Sequence, residues 1–295
     1  MDLTRYVTTF GQAMQRKHGE KVYKLSVNAE FSCPNRDGSR GIGGCTFCNV
    51  SSFSPATTRH GTVREQIEHG RERVGQLTGA RKFLAYFQAY SNTYGELDRL
   101  KSLYDEALAC DQVIGLAVGT RPDCVPDPVL DLLADYQQQG KEVWLELGLQ
   151  SANDTTLATI NRGHDFNAYR DAVSRAQARN LQLCTHLIIG LPGERGDDAL
   201  DSFARVLELG VDSIKVHPLH IVKGTQIARQ WKQGEITELS MEEYCDTVAE
   251  IVRRAPPELI FHRLHGSGTP DYLLAPQWCR SKWGVLGEIQ KRLEG

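Results

Sequence analysis

At 295 residues the chain is long enough for one barrel-sized domain or two small ones. Its 40 % apolar and 24 % charged residues are ordinary for a globular protein, and a net charge of −3 leaves only a local basic patch as a means of meeting nucleic acid. No uncharged apolar run reaches about 18 residues, which excludes a membrane-spanning helix, and MDLTRYVTTFGQ at the start has no apolar core of signal-peptide length, so the expected location is the cytoplasm.

In chain order, VYKLSVNAEF (22–31) has the β-branched and aromatic content of a strand. TVREQIEHGRERVGQL then begins a helix, with Thr62 as N-cap and Glu65 three residues later completing a capping box. RKFLAYFQ (81–88) is a second strand. GELDRLKSLYDEALA places Leu97, Leu100, Tyr104 and Leu108 on one helical face. DQVIGLAVGT (111–120) is a third strand, and PDPVLDLLADYQQQGK opens on prolines and stops at Gly140, as a helix does. KEVWLELGLQ (141–150), LQLCTHLIIGLPG (181–193) and DSIKVHPLHI (212–221) are strands four to six, separated by FNAYRDAVSRAQARN and GDDALDSFARVLELG as helices. Beyond residue 223 the pattern loosens into a helix (SMEEYCDTVAEIVRRA), a short strand (ELIFHRL) and a final helix (GVLGEIQKRLEG).

Six strand–helix alternations mean βαβ units and a parallel sheet. The strands are apolar almost throughout, as strands covered on both faces must be. The expected architecture is α/β, a partial (β/α)6 barrel of the TIM type over residues 22–222. Residues 1–21 and 223–295 are expected to be N- and C-terminal extensions, the latter packing on the barrel.

The loop after the first strand, FSCPNRDGSRGIGGCTFCNV, holds Cys33, Cys45 and Cys48 among glycines and turn residues. In a barrel, loops at the C-terminal ends of strands carry the active site. Eight cysteines in a reducing compartment argue for metal or redox chemistry at the clustered ones. C-x11-C-x2-C admits a zinc site with His60 as fourth ligand, or three unrelated buried cysteines. It also admits a 4Fe–4S cluster held by three thiolates, with one iron open to the amino and carboxylate groups of S-adenosylmethionine.

Several motifs add a resemblance to these readings. Cys45-Thr46-Phe47-Cys48 is similar to the C-x-Φ-C ending of the radical SAM signature, although the spacing before Cys45 is longer than the common one. Such spacings occur in the branch of the Elongator catalytic subunit. ELGLQSANDTTLATINRGH and HLIIGLPGE resemble the fourth- and fifth-strand motifs of that branch and of coproporphyrinogen-oxidase-like proteins. FQAYSNTY, GTRPDC, IKVHPLHIVKGT and APQWCRSKW resemble a small bacterial radical SAM family linked to tRNA wobble-uridine side chains.

The resemblance implies a radical SAM enzyme that cleaves S-adenosylmethionine to a 5′-deoxyadenosyl radical, acts on a tRNA nucleoside, and draws on an electron donor such as flavodoxin or ferredoxin. Cys33, Cys45 and Cys48 would hold the cluster and Phe47 would lie near the adenine. Arg162 would grip the methionine carboxylate, Gln88 would stand at the amino group, and Gly190 would let backbone approach the adenine.

Gln150 and Ser151 end the fourth strand, where ribose hydroxyls need partners. Glu146 shares a face with Gly148 and Gln150 by period 2. If that face is the barrel interior, it is a buried carboxylate in need of the sulfonium, the ribose or a basic residue. Arg121 and Asp123 end the third strand as an ion pair or a substrate contact. Lys215 and His217, with His220 beyond Pro218, are substrate-site candidates, whereas a lone strand histidine such as His186 reads as a core residue. The basic stretch 16–24 could meet phosphates or be a solvated turn, and QWCRSKWG could stack on bases or pack over the barrel. Cys110, Cys124, Cys184, Cys245 and Cys279 read mainly as small buried residues. Two alternatives stay open: a radical SAM enzyme on a small metabolite or peptide, and a non-enzymatic zinc module.

Overall fold

The structure, a computed structural model, describes residues 3–52 and 61–295; His60 lies outside them. Its elements run β1 (Thr8–Thr9), α1 (Phe10–His18), β2 (Val22–Val27), α2 (Val63–Thr78), β3 (Lys82–Phe87), α3 (Leu97–Leu108), β4 (Val113–Thr120), α4 (Asp127–Gln138), β5 (Glu142–Gln150), α5 (Asp154–Thr159), α6 (Phe166–Gln177), β6 (Gln182–Ile189), α7 (Gly196–Leu207), β7 (Ser213–Pro218), β8 (Ile221–Val222), α8 (Gln226–Lys232), α9 (Met241–Arg254), β9 (Ile260–Arg263), β10 (Leu273–Ala275) and α10 (Lys282–Glu294).

All six expected core strands are present as β2 to β7, paired parallel in sequence order. Among the described residues the sheet has eight strands, because β9 adds beside β7 and β1 adds beside β9, both parallel. The short strand expected in ELIFHRL is β9; two-residue β1 gives no period to read. A side hairpin, β8 with β10, is antiparallel.

The helices follow their sequence signals. Thr62 Oγ1 accepts from the Glu65 amide at 3.2 Å while Glu65 Oε2 accepts from the Thr62 amide at 2.7 Å, the expected capping box. Gly140 takes the left-handed conformation that ends α4. On α3, Leu100 and Tyr104 are fully buried but Leu97, in the first turn, is 39 % exposed. Unexpected were α1, capped reciprocally by Thr9 and Gln12, and the short α5 and α8, one or two turns that show little periodicity.

One apolar core joins the strands to the surrounding helices. A smaller one lies inside the sheet's curl, where Phe10, Met14, Leu84, Tyr86, Trp144 and Cys184 meet. There Lys24 of β2 lies 2.9 Å from His262 Nδ1 of β9, so the first core strand and the last sheet strand touch across the interior. Among the described residues no helix is long and apolar enough to cross a membrane.

Candidate active site

A cavity of about 460 Å³ opens at the C-terminal ends of the strands. Cys33, Cys45 and Cys48 all line it, Cys45 buried and the other two partly so, and none forms a disulfide. The loop that carries them is folded by its own backbone. The Arg36 and Asp37 amides donate to Cys33 O at 2.8 and 3.1 Å, and the Cys48 amide donates to Cys45 O at 3.0 Å. Glycine is required twice. A Cβ on Gly41 would lie 2.2 Å from Asn35 Oδ1, and Gly44 has φ +80° with the Arg36 side chain where its Cβ would point.

The loop docks on the turn after α5. Thr46 N donates to Ile160 O at 3.0 Å, Asn35 Nδ2 to Asn161 O at 2.6 Å, and Asn161 Nδ2 to Gly44 O at 2.8 Å. The same turn delivers Arg162, whose Nη1 lies 3.3 Å from Cys45 Sγ and whose Nη2 donates to Gly148 O at 2.5 Å. Arg36 Nη2 donates to Cys48 O at 2.6 Å. Burial pushes the Cys48 thiol up, the neighbouring Cys45 adds to this, and Arg36 opposes it.

At the cavity floor Glu146 is fully buried. Its Oε1 lies 2.5 Å from Lys24 Nζ, its Oε2 bonds Lys215 Nζ, and His186 Nε2 is 2.8 Å from Oε2. Lys215 also donates to the Tyr86 hydroxyl at 2.9 Å. Burial opposes ionisation of Glu146, but Lys215 and Lys24 outweigh it and hold the carboxyl well below its usual range. Burial lowers Lys24 to about 8 even with Glu146 beside it, and lowers His186 to about 4, with Lys215 acting in the same direction. Of the partners open to Glu146 in sequence, the structure supplies basic residues.

The other sequence candidates divide. Phe47, Gln88, Gln150, Arg162, Arg121, Lys215 and His217 line the cavity with Glu146. Gln150 sits there with φ +84°, beside an irregularity in the β5–β6 register. Arg121 is gripped by Asp123 through two bonds of 2.9 Å, and Asp123 itself is not in the lining. Ser151 turns away: its hydroxyl donates to Glu194 Oε1 at 2.5 Å. Gly190 also lies outside the lining, and a Cβ there would lie 3.0 Å from Leu239 Cβ. His186, read as a core residue, lines the cavity, as does His220.

The start of the basic stretch lies at the opposite end of the sheet, where Lys17 and His18 meet Glu142 at 2.7 and 3.1 Å, while its last residue, Lys24, reaches Glu146. Trp278 packs on Tyr244, whereas Trp283 is 69 % exposed. The five dispersed cysteines are buried. Sequence reasoning placed Lys24 only in the basic stretch, and missed its place beside Glu146 along with Tyr86, His262 and Arg263. A charged residue inside a strand covered on both faces was the available signal for Lys24.

A profile of the Radical SAM superfamily matches residues 37–206, and one of the radical SAM C-terminal domain matches residues 211–295. The chain belongs to the radical SAM superfamily. Protein YhcC of Escherichia coli K12 is 49 % identical over 293 residues, covering 99 % of this chain and 94 % of YhcC. Elongator complex protein 3 of Mus musculus is 24 % identical over 221 residues, covering 68 % of this chain and 39 % of its own length. The structure of archaeal Methanocaldococcus infernus Elp3, with an N-terminal deletion, superposes with a TM-score of 0.60 at 19 % identity over 81 % of this chain and 55 % of that one, which establishes a shared fold.

The radical SAM cofactors are a 4Fe–4S cluster and S-adenosylmethionine. The cavity suits them chemically: three free thiols line it, and Arg162 Nε, Arg121 Nη1 and Ser91 Oγ are buried there without a hydrogen-bond partner.

Proposed function

We propose that this radical SAM enzyme holds its cluster through Cys33, Cys45 and Cys48 and modifies a nucleoside in tRNA. The observation that carries the cofactor reading is the meeting of the three thiols with Arg162 in one strand-end cavity. When bound, the cluster and S-adenosylmethionine supply a 5′-deoxyadenosyl radical that takes hydrogen from the substrate.

The protein's own part is to bind, orient and exclude water. Arg162 offers a guanidinium with an unused Nε–H to the methionine carboxylate. Phe47 offers an apolar face to the adenine, and Gln88 and Gln150 offer amide groups to the amino group and the ribose. We assign the barrel proper to residues 22–222, with the flanking segments completing its walls, and an exogenous flavodoxin- or ferredoxin-like protein as electron donor. The tRNA part rests on the resemblance of FQAYSNTY, GTRPDC, IKVHPLHIVKGT and APQWCRSKW.

Two measurements test the proposal. Anaerobically reconstituted protein should bind about four iron atoms per chain, as the cluster requires, and release 5′-deoxyadenosine when reduced; colourless protein with stoichiometric zinc would refute the cofactor reading. Mass spectrometry of tRNA nucleosides from a deletion strain should show one altered wobble uridine, and an unchanged profile would refute the substrate reading.

A further inference from the structure

The charges lining the cavity are unevenly paired. Arg36 and Arg162 stand beside the thiols, and Arg121 is spoken for by Asp123. Elsewhere in the lining, β7 and β9 bring Lys215 and Arg263 into register as strand partners, with His217 two residues along β7 on the same face as Lys215. The only carboxylate in the described lining is Glu146, and it already faces both Lys215 and Lys24. Arg263 lines the cavity with no ion-pair or hydrogen-bond partner among the described residues, near enough to His217, His220 and Tyr86 to act on them electrostatically. This wall therefore holds one lysine and one arginine, and the single carboxylate of the lining, Glu146 of β5, is shared between Lys215 and Lys24 of β2.

The histidines sharpen the pattern. His217 makes no hydrogen bond among the described residues and is pressed by the Gly266 backbone, where a Cβ would lie 2.4 Å from Nδ1. His220 is fixed by Gly266 O at 2.9 Å. Burial, then Arg263, keeps His217 neutral, so its ring can give an N–H without adding charge.

We propose that Arg263 and His217, backed by Lys215, form a subsite for an oxyanion, a carboxylate or phosphate, carried by the molecule being modified. The proposal deepens the reading above by naming a chemical feature of the substrate. It does not require that substrate to be tRNA. A guanidinium fork matches the two oxygens of such a group. The subsite is built from β7 and β9, whereas Arg162 comes from the turn after α5, so the methionine carboxylate and the substrate anion have separate cationic partners.

The test uses reconstituted holoenzyme saturated with S-adenosylmethionine, titrated calorimetrically with inorganic phosphate and, separately, with acetate. Saturable binding of either anion is expected. It should weaken about tenfold or more in R263M and less in R263K, which keeps the charge but loses the fork. Lys101→Met, a charge loss on the exposed face of α3, should leave binding as in wild type. Binding of acetate alone assigns a carboxylate and binding of phosphate alone a phosphate; either supports the subsite. No saturable binding by wild type, or binding that R263M leaves intact, overturns it. Should R263M fail to fold, R263K decides alone: a several-fold loss supports the subsite and no change overturns it. Because the protein tested already carries cluster and cofactor, a negative result removes the subsite and leaves the radical chemistry untouched.

Discussion

Arg162 touches Cys45: its Nη1 lies 3.3 Å from the sulfur while Nη2 holds Gly148 O. The guanidinium thus ties the end of β5 to the cysteine loop and places positive charge on a proposed cluster ligand. Hydrogen bonds to ligand sulfur raise a cluster's reduction potential by favouring the extra electron. R162M should lower the midpoint potential by on the order of tens of mV and weaken S-adenosylmethionine binding. Spectroscopic redox titration of the reconstituted variant checks this; an unchanged potential would detach Arg162 from the cluster.

Cys45→Ala should abolish both iron retention and cofactor cleavage, because two thiolates hold an iron–sulfur cube poorly. Iron analysis and 5′-deoxyadenosine assay measure the two effects. Cleavage surviving in C45A would mean that the ligands are wrongly assigned.

Glu146 holds two buried lysines in place, so the two sides of this cluster are unequal. E146Q leaves Lys24 and Lys215 buried without a counter-charge and should cost about 3–5 kcal/mol, the range for breaking a buried pair. K24M leaves Glu146 with Lys215 and removes a group that burial already disfavours in its charged form. Its cost should be clearly smaller. Urea unfolding midpoints compare them, and equal losses would contradict the account.

Acid should loosen the fold in a defined window. Burial, followed by Lys215, lowers His186 to about 4; burial, followed by Lys24, lowers His262 well below 6.5. The folded chain therefore binds fewer protons than the unfolded chain between pH 6.5 and about 4, so stability falls as pH falls through that range. Thermal midpoints from pH 7.5 to 4 should show the decline, and H186Q should make it shallower. A midpoint independent of pH across this range would refute it.

The two tryptophans of QWCRSKW should separate sharply. Trp278 donates from Nε1 to Leu239 O at 3.0 Å and packs 5.3 Å from the Tyr244 ring. W278A should cost about 3 kcal/mol, whereas W283A, at an exposed position, should stay within about 0.5 kcal/mol. Denaturant unfolding of both variants tests the contrast.

The sequence was most informative where local chemistry decides the outcome. The six core strands are legible as apolar runs, and Thr62 with Glu65 as a capping box, because those signals act within a few residues. The cysteine trio is legible as one group because its members share a single glycine-rich loop, and the structure brings all three to one cavity. Arg263 and His262 are not, since their meaning depends on β9 leaving the C-terminal helices to join β7, a pairing between residues 213–215 and 260–263 that no local period announces. Ser151 and Gly190 lie outside the cavity lining for a related reason. Both stand at strand ends, but a chain turning into a helix after such an end can aim its next residue away from the cavity, and here Ser151 goes to Glu194.

The contact between Lys24 and His262 joins positions 238 residues apart. A nascent chain leaves the ribosome amino end first, so the partner that shuts the lower interior is synthesised 238 residues after Lys24. Until then Lys24 and Glu146 stay wet, and the barrel is an open trough.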